Sequence, residues 1–340
     1  MGETIRFGVI GAGRIGRLHI EHLMRRIPEA TVTVVSDVVR EAAEAAAAQF
    51  DVPRAEVEAE ELIHSPDVDA VVVCSSTDTH ASFITEAARA GKHVFCEKPI
   101  ALELDEIDGA LGAVHDAGVK LQIGFNRRFD ANYRRVRDRI EAGDIGTLHV
   151  VHIVSRDPAP PPAEYVKVSG GIFLDMTIHD FDMARYLTGD EPETVYAVGG
   201  VRVSPEIGNA GDVDTALTTM TFRNGAYVTI DNSRRAVYGY DQRAEAFGSG
   251  GMVRIDNEYE NNAVLATGRA VERDLPVNFF MERYIESYIT ELRAFVEAVR
   301  EDAPVPVSGL DGRIPIVMGY AAKKSLAEGR PVRVDEIARI

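Results

Sequence analysis

Six residues near the start of the chain, Gly11-Ala12-Gly13-Arg14-Ile15-Gly16, constrain its fold more than any other segment. They match G-x-G-x-x-G, a pattern that glycine-rich loops also reach by chance. Here the pattern follows a short apolar run, Ile5–Ile10, and opens a stretch of helical spacing, Ile15–Arg26, with Ile15, Leu18, His19, His22 and Leu23 on one side. In that setting the three glycines serve a tight turn, backbone approach to a pyrophosphate, and close helix–strand packing. The helix N-terminus offers the pyrophosphate free N–H groups and a favourable dipole. A β-branched run, Thr31–Ser36, then closes on Asp37, 21 residues after Gly16. An acid there binds ribose hydroxyls of NAD and repels the 2′-phosphate of NADP. Arg40 is the only cation nearby in sequence. The residues thus point to NAD, held by Gly11, Ala12, Gly13, Arg14, Ile15, Gly16 and Asp37.

Strand and helix signals keep alternating after that. Val39–Phe50 is alanine-rich helix, Ala70–Cys74 strand, Ser82–Ala90 helix, His93–Cys96 strand, Leu104–Ala117 helix and Leu121–Gly124 strand. This alternation predicts an α/β Rossmann domain, a doubly wound parallel sheet, over residues 1–123. A chain of 340 residues exceeds one core of usual size, so a second domain is expected. The pattern changes after Gly124: a charged helix, Arg127–Glu141, precedes longer alternating strands, Leu148–Ser155, Val195–Val203, Ala216–Phe222 and Ala226–Asn232. Asn224-Gly225 joins the last two as a hairpin turn. Helices over Tyr284–Arg300 and Gly312–Glu328 close the chain. Residues 124–340 read as an α+β substrate-binding and oligomerisation domain with a large open, mainly antiparallel sheet. Ala216, Thr218, Met220 and Phe222 alternate along one strand, as an apolar face in need of cover would.

The net charge of −17, from 37 basic and 54 acidic residues, argues against nucleic acid and anionic membrane surfaces as partners. No apolar run reaches the length of a membrane span, and the start of the chain has no basic-then-apolar leader. The two cysteines, Cys74 and Cys96, lack metal spacing and read as buried structural thiols of a cytoplasmic protein.

Three further segments carry chemistry. The third strand ends in Cys74-Ser75-Ser76-Thr77-Asp78-Thr79-His80, at the carboxyl edge where open α/β sheets bind ligands. Ser75, Ser76, Thr77 and His80 are therefore candidates to line the cofactor, while Thr77 or Thr79 could equally cap the next helix. The fourth strand ends in Glu97-Lys98-Pro99, which places Lys98 at the same edge with Glu97 beside it. Finally, Gly170–Asp182 carries Asp175 and His179 four residues apart among Phe173, Leu174, Met176, Ile178 and Phe181. On a helix, that spacing sets both on one face, with Asp182 three residues further along it. A carboxylate and an imidazole in apolar surroundings need partners or a chemical role. A core histidine satisfied by its neighbour and a general base held by a carboxylate both fit. Asp175, His179 and Asp182 as metal ligands fit less well, since no second histidine stands at metal spacing and Lys98 would oppose a cation; no metal is expected.

With these motifs in order, the chain resembles the glucose–fructose oxidoreductase/inositol dehydrogenase/rhizopine-catabolism superfamily, and most closely its bacterial inositol 2-dehydrogenases. The residues that carry the resemblance are Gly11–Gly16, Glu97–Pro99, Gln122–Asp130, Ser155–Pro158, Ser169–Asp182, Asn232–Arg243 and Phe280–Tyr284. They span essentially the whole chain. The resemblance implies a catalytic triad of Lys98, Asp175 and His179, and a homotetramer packed through the open face of the C-terminal sheet. It also implies NAD-dependent oxidation of a cyclitol secondary alcohol, myo-inositol to 2-keto-myo-inositol (scyllo-inosose). Dehydrogenation of another inositol isomer or of an aldose, and NAD-dependent glycoside cleavage, remain alternatives.

On this reading His179, neutral near pH 7 at an ordinary pKa of about 6.5, is the general base. Asp175 fixes its tautomer, and Lys98 holds the reacting oxygen. A polyol offers many hydroxyls and no charge, so its site should supply paired polar groups. Asn126, Arg127, Asp157 and Tyr240, with Asp182 and Tyr284, are the candidates; for each, a salt bridge or subunit contact is the plainer alternative. Tyr165 and Lys167, after the proline-rich Pro158–Pro162, fit a lid or a plain surface loop.

Overall fold

The protein is described by a computed structural model covering residues 4–339. The chain forms two compact units, Met1–Phe129 with Glu286–Arg313, and Asp130–Ile285 with Ile314–Ile340.

The first unit runs β1 (Ile5–Ile10), α1 (Arg14–Arg25), β2 (Ala30–Ser36), α2 (Arg40–Phe50), β3 (Arg54–Glu56), α3 (Ala59–Ile63), β4 (Ala70–Val73), α4 (Thr77–Arg89), β5 (His93–Cys96), α5 (Leu104–Ala117) and β6 (Leu121–Ile123). Its six strands are all parallel, in the order β3-β2-β1-β4-β5-β6. This is the doubly wound order, with its crevice where the sequence of strands reverses at β1 and β4. The expected Rossmann sheet is therefore present. β3 and α3 were not read from the sequence: Arg54–Glu56 is three half-buried residues with no apolar alternation to betray a strand.

The strands are buried on both faces, as a parallel sheet between helices requires. Phe7, Val9, Val32, Val72 and Phe95 from the sheet meet Ile20 and Leu23 of α1. The late segment Leu292, Phe295 and Val296 completes this core, with Phe295 against Phe7 and Phe95 at ring-centroid distances of 6.2 and 5.9 Å. Each such fully buried side chain contributes about 1.5–3 kcal/mol. That burial draws 286–313, which the sequence reading groups with the second domain, into the first unit.

The second unit contains α6 (Ala131–Glu141), β7 (Leu148–Arg156), α7 (Ala163–Val168), α8 (Gly171–Asp175), α9 (Ile178–Thr188), β8 (Pro192–Gly200), α10 (Pro205–Asn209), β9 (Thr215–Phe222), β10 (Tyr227–Ser233), β11 (Asp241–Gly248) and β12 (Gly251–Ile255). A separate hairpin, β13 (Val264–Ala266) and β14 (Val271–Arg273), follows. Two long helices, α11 (Phe280–Arg300) and α12 (Gly309–Glu328), carry the chain across the unit boundaries, and β15 (Val332–Arg333) ends the sheet. The seven-stranded sheet has the order β12-β11-β7-β10-β9-β8-β15. Only β7 and β10 pair in parallel; the other neighbours are antiparallel. The Asn224-Gly225 turn joins β9 to β10 as expected, with Gly225 at φ +85°.

One expectation about this sheet is corrected. Ala216, Thr218, Met220 and Phe222 do alternate, but each is buried inside the unit. The open face is the opposite one. It shows Leu217 (54% exposed) and Tyr227 (55%), with Tyr196, Val198, Phe247 and Met252 also uncovered. The strand register sets these six on one side of the sheet. Alternation reveals that a strand has two faces; which of them the chain covers is decided by tertiary packing. No helix among the described residues is long and apolar enough to cross a membrane.

Candidate active site

The glycine loop leaves β1 through Gly11 at φ +98°, a conformation only glycine adopts without strain. A Cβ at Gly11 would also lie 2.6 Å from the Cys74 carbonyl oxygen at the end of β4. A Cβ on Gly16 would collide with the Gly11 carbonyl oxygen, so α1 packs against the loop at glycine distance. Gly13 is the N-cap of α1, no side chain caps that end, and a Cβ on Gly13 would meet nothing within 4 Å. Asp37 faces this loop: Oδ2 accepts the Ala12 N–H at 2.8 Å and Oδ1 accepts the Val39 N–H at 2.9 Å. A glycine-lined opening at an uncapped helix N-terminus, with an acid at the end of β2, fits the pyrophosphate and ribose of NAD.

The neighbouring strand ends are tied to one another. Ser75 Oγ is 2.6 Å from Thr79 Oγ1, and Thr79 Oγ1 donates to the Ser76 carbonyl at 2.7 Å. The N-cap of α4 is Ser76 and makes no side-chain bond, so neither Thr77 nor Thr79 acts as the cap the sequence allowed. His80 is buried, with Nδ1 2.8 Å from the Pro99 carbonyl and Nε2 3.0 Å from the Ser75 carbonyl. It thereby links the loop after β4 to the loop after β5, where the Lys98–Pro99 peptide is cis. Glu97 turns inward, with Oε1 2.7 Å from His19 Nε2. Lys98 follows it, half-buried. Asn126 and Arg127 are buried in a short 3₁₀ turn, Asn126–Phe129, after β6. The Asn126 Nδ2 is buried with no hydrogen-bond partner among the described residues. Burial pushes the Cys74 and Cys96 thiols well up from their ordinary value, which suits structural thiols.

In the second unit the stretch 170–182 is not one continuous helix. α8 ends at Asp175, and α9 begins at Ile178. The Thr177 N–H reaches back to Ile172 at 2.8 Å, a residue further than the α ladder, while its hydroxyl donates to Asn232 Oδ1 at 2.8 Å. That inserted side-chain bond marks the break. Met176 and Thr177 keep right-handed helical dihedrals, so Asp175 and His179 remain a helical turn apart although the ladder between them slips.

Asp175 is held at both oxygens. The Tyr165 hydroxyl of α7 donates to Oδ1 at 3.0 Å, and the Arg234 guanidinium sits 3.4 Å from Oδ2. Arg234 is only 1% exposed and lies 3.9 Å from Asp212 as well. Asp212 in turn accepts the Ile172 N–H at 2.8 Å and so anchors the start of α8. Burial raises the Asp212 carboxyl above its usual range, against the pull of its N–H donors and Arg234. Burial and the Asp175 charge push the Tyr165 phenol up, keeping it a donor. Tyr165, read from the sequence as part of a lid or a surface loop, thus lies on Asp175, while Lys167 makes an exposed pair with Glu164.

The remaining candidates fall as follows. Tyr240 and Tyr284 are buried and stand edge-on, 6.2 Å apart. Asp157 follows β7, its N–H on the Ser233 carbonyl and its own carbonyl accepting from Ala236 at 2.6 Å. Asp182 is fully buried in α9. Thus Lys98, Asn126 and Arg127 belong to the first unit, and Asp157, Asp175, His179 and Tyr240 to the second. Sequence reasoning missed Tyr165, Arg234 and Asp212 as partners of the 170–182 segment. Arg234 was visible inside the Asn232–Arg243 block, but a buried cation looks like a surface one in sequence.

Comparison with known proteins agrees with this geometry. Residues 5–125 match the oxidoreductase family model with an NAD-binding Rossmann fold, and residues 133–254 match the GFO/IDH/MocA C-terminal domain. The chain is 50% identical to the myo-inositol 2-dehydrogenase of Thermotoga maritima over 98% of this chain and 99% of that protein. It is 44% identical to the inositol 2-dehydrogenase of Rhizobium meliloti, over 97% and 99% of the two chains. The crystal structure of Lactobacillus casei scyllo-inositol dehydrogenase with bound NAD(H) and scyllo-inositol superposes with a TM-score of 0.92 at 30% identity, covering 98% of this chain and 100% of that one. The chain belongs to the GFO/IDH/MocA family of oxidoreductases with an NAD-binding Rossmann fold.

Proposed function

We propose that this oxidoreductase oxidises a cyclitol secondary alcohol, myo-inositol to 2-keto-myo-inositol. Lys98, Asp175 and His179 act on the substrate, and Asn126, Arg127, Asp157 and Tyr240 bind its hydroxyls. The observation that carries the reading is Asp175, held by Tyr165 and Arg234 one helical turn before His179. A carboxylate secured in this way orients an imidazole and stabilises it when it becomes charged. His179 takes the hydroxyl proton of the substrate at a ring nitrogen. Lys98 donates from Nζ to the reacting oxygen as the carbonyl forms and steadies its developing charge. Bound NAD supplies the acceptor for the hydride that leaves the carbinol carbon. Gly11–Gly16 and Asp37 hold it, with Ser75, Ser76, Thr77, His80, Glu97 and Lys98 along its path.

The relatives named for myo-inositol and the structure solved with scyllo-inositol both favour an inositol over an aldose. They differ in the isomer, and the 50% identity to the former supports the reading of myo-inositol here. We further propose a cytoplasmic homotetramer packed through the outer sheet face, where Leu217, Tyr227 and Phe247 stand uncovered on one side of the sheet. Initial rates of NADH formation across inositol isomers and aldoses test the substrate, and sedimentation of the parent against Leu217→Asp tests the assembly.

A further inference from the structure

The core of the first unit holds an acid that this chemistry leaves unused. Glu291 on α11 is fully buried, and neither of its carboxylate oxygens has a hydrogen-bond partner among the described residues. One of its oxygens, a ring nitrogen of His19 on α1 and an oxygen of Glu97 after β5 all lie within 4.8 Å of one another. His19 and Glu97 are themselves joined at 2.7 Å. The Glu291 carbonyl accepts from Gln122 Nε2 of β6 at 2.8 Å, which pins the helix at this point. Phe95 and Tyr288 stand edge-on to the His19 ring, at 5.3 and 5.9 Å. Gly124 passes so close to Glu97 that a Cβ there would lie 3.1 Å from Oε2. The Glu97 carboxyl is thus tied to α1 and hemmed in at the end of β6, with Glu291 of α11 close by, and the next residue is Lys98.

An anion with no donor is the costliest state for a group so deeply buried, and a proton removes that cost. Burial first, and the adjacent Glu97 second, push the Glu291 carboxyl well above its ordinary range. The groups around it are His19 of α1, Cys74 after β4, Glu97, and Tyr288 of its own helix. A bound cation, with water completing the shell around these three groups, is the other way to neutralise such a cluster. We propose that Glu291 is a positioning residue that stands as the neutral acid behind the His19–Glu97 pair and fixes the segment carrying Lys98. The effect on turnover rests on the catalytic reading of Lys98; the state of Glu291 does not.

The test is thermal unfolding of the full-length protein and its Glu291→Gln variant between pH 5 and 8.5, with turnover of both and of Glu291→Leu. Glu291 would be protonated when folded and ionised when unfolded, so its presence lowers stability as pH rises above an unfolded value of about 4.3. The Gln variant should match the parent near pH 5 and exceed it by several degrees at pH 8. A Gln variant that instead falls further behind as pH rises means an ionised, paired Glu291 and overturns the proposal. A parent whose Tm drops on adding EDTA means a bound cation and does the same. Glu291→Leu should lower kcat by about tenfold or more while remaining folded, and Gln should recover most of it. Parental kcat in the Leu variant rejects the positioning role. If the parent oxidises no polyol, the reading of Lys98 fails, while the unfolding curves still decide the state of Glu291.

Discussion

The Asp37 carboxylate accepts the Ala12 N–H at 2.8 Å, so the acid that ends β2 is bonded directly to the glycine loop. Asp37 therefore shapes the loop, and on the proposed reading it also offers its charge to the ribose of NAD. Replacing it with alanine removes a charged hydrogen bond of about 1.5–3 kcal/mol. Asp37→Ala is expected to raise the KM for NAD by about tenfold or more and to narrow the preference over NADP. Initial rates with both cofactors check this.

His179→Ala removes the proposed base and leaves the glycine loop untouched. Turnover should fall by about two orders of magnitude or more, while NAD binding by titration calorimetry stays near parental. Turnover close to the parent would take His179 out of that role.

Arg234 is the buried cation that serves Asp175 and Asp212 together. Arg234→Met leaves both carboxylates without it and should cost on the order of 3 kcal/mol in denaturant unfolding. Tyr165→Phe deletes one hydrogen bond to Asp175 and should cost about 1 kcal/mol. Its larger effect should be on kcat, several-fold, because it frees the carboxylate proposed to orient His179.

Burial, with His19 and Arg26 adding repulsion, pushes the His22 imidazole down to about 4. Unfolded, it titrates near about 6.5. Below that value the unfolded chain binds a proton that the folded chain refuses, so this contribution is intact above about pH 6.5 and is lost as pH falls toward 4. A His22→Gln variant should show a shallower loss of Tm between pH 6.5 and 4 than the parent. Its sign is opposite to that expected from Glu291.

The Rossmann sheet was legible because its determinants are local. A strand, three glycines and an acid at set spacing specify one loop, and the structure shows Gly11, Gly16 and Asp37 where that loop requires them. The second sheet was legible as alternating strands, but its covered face was not. Met220 and Leu217 sit on opposite sides of β9 with similar hydropathy, and only packing distinguishes them. The return of Phe295 to the first core, the slip in the helical ladder at Thr177, and the Arg234–Asp175–Asp212 cluster all join residues distant in sequence. Periodicity carries no signal for such pairings. Tyr165 illustrates the limit: beside a proline-rich segment it reads as loop, yet its hydroxyl lies on Asp175.

The most direct measurement of the central claim is NADH formation by absorbance with NAD and, in turn, myo-inositol, scyllo-inositol, chiro-inositol, glucose and xylose. The expected result is fastest reduction of NAD with myo-inositol, abolished in Lys98→Ala and His179→Ala. Reduction only with an aldose, or none with any polyol in protein that binds NAD, would contradict it.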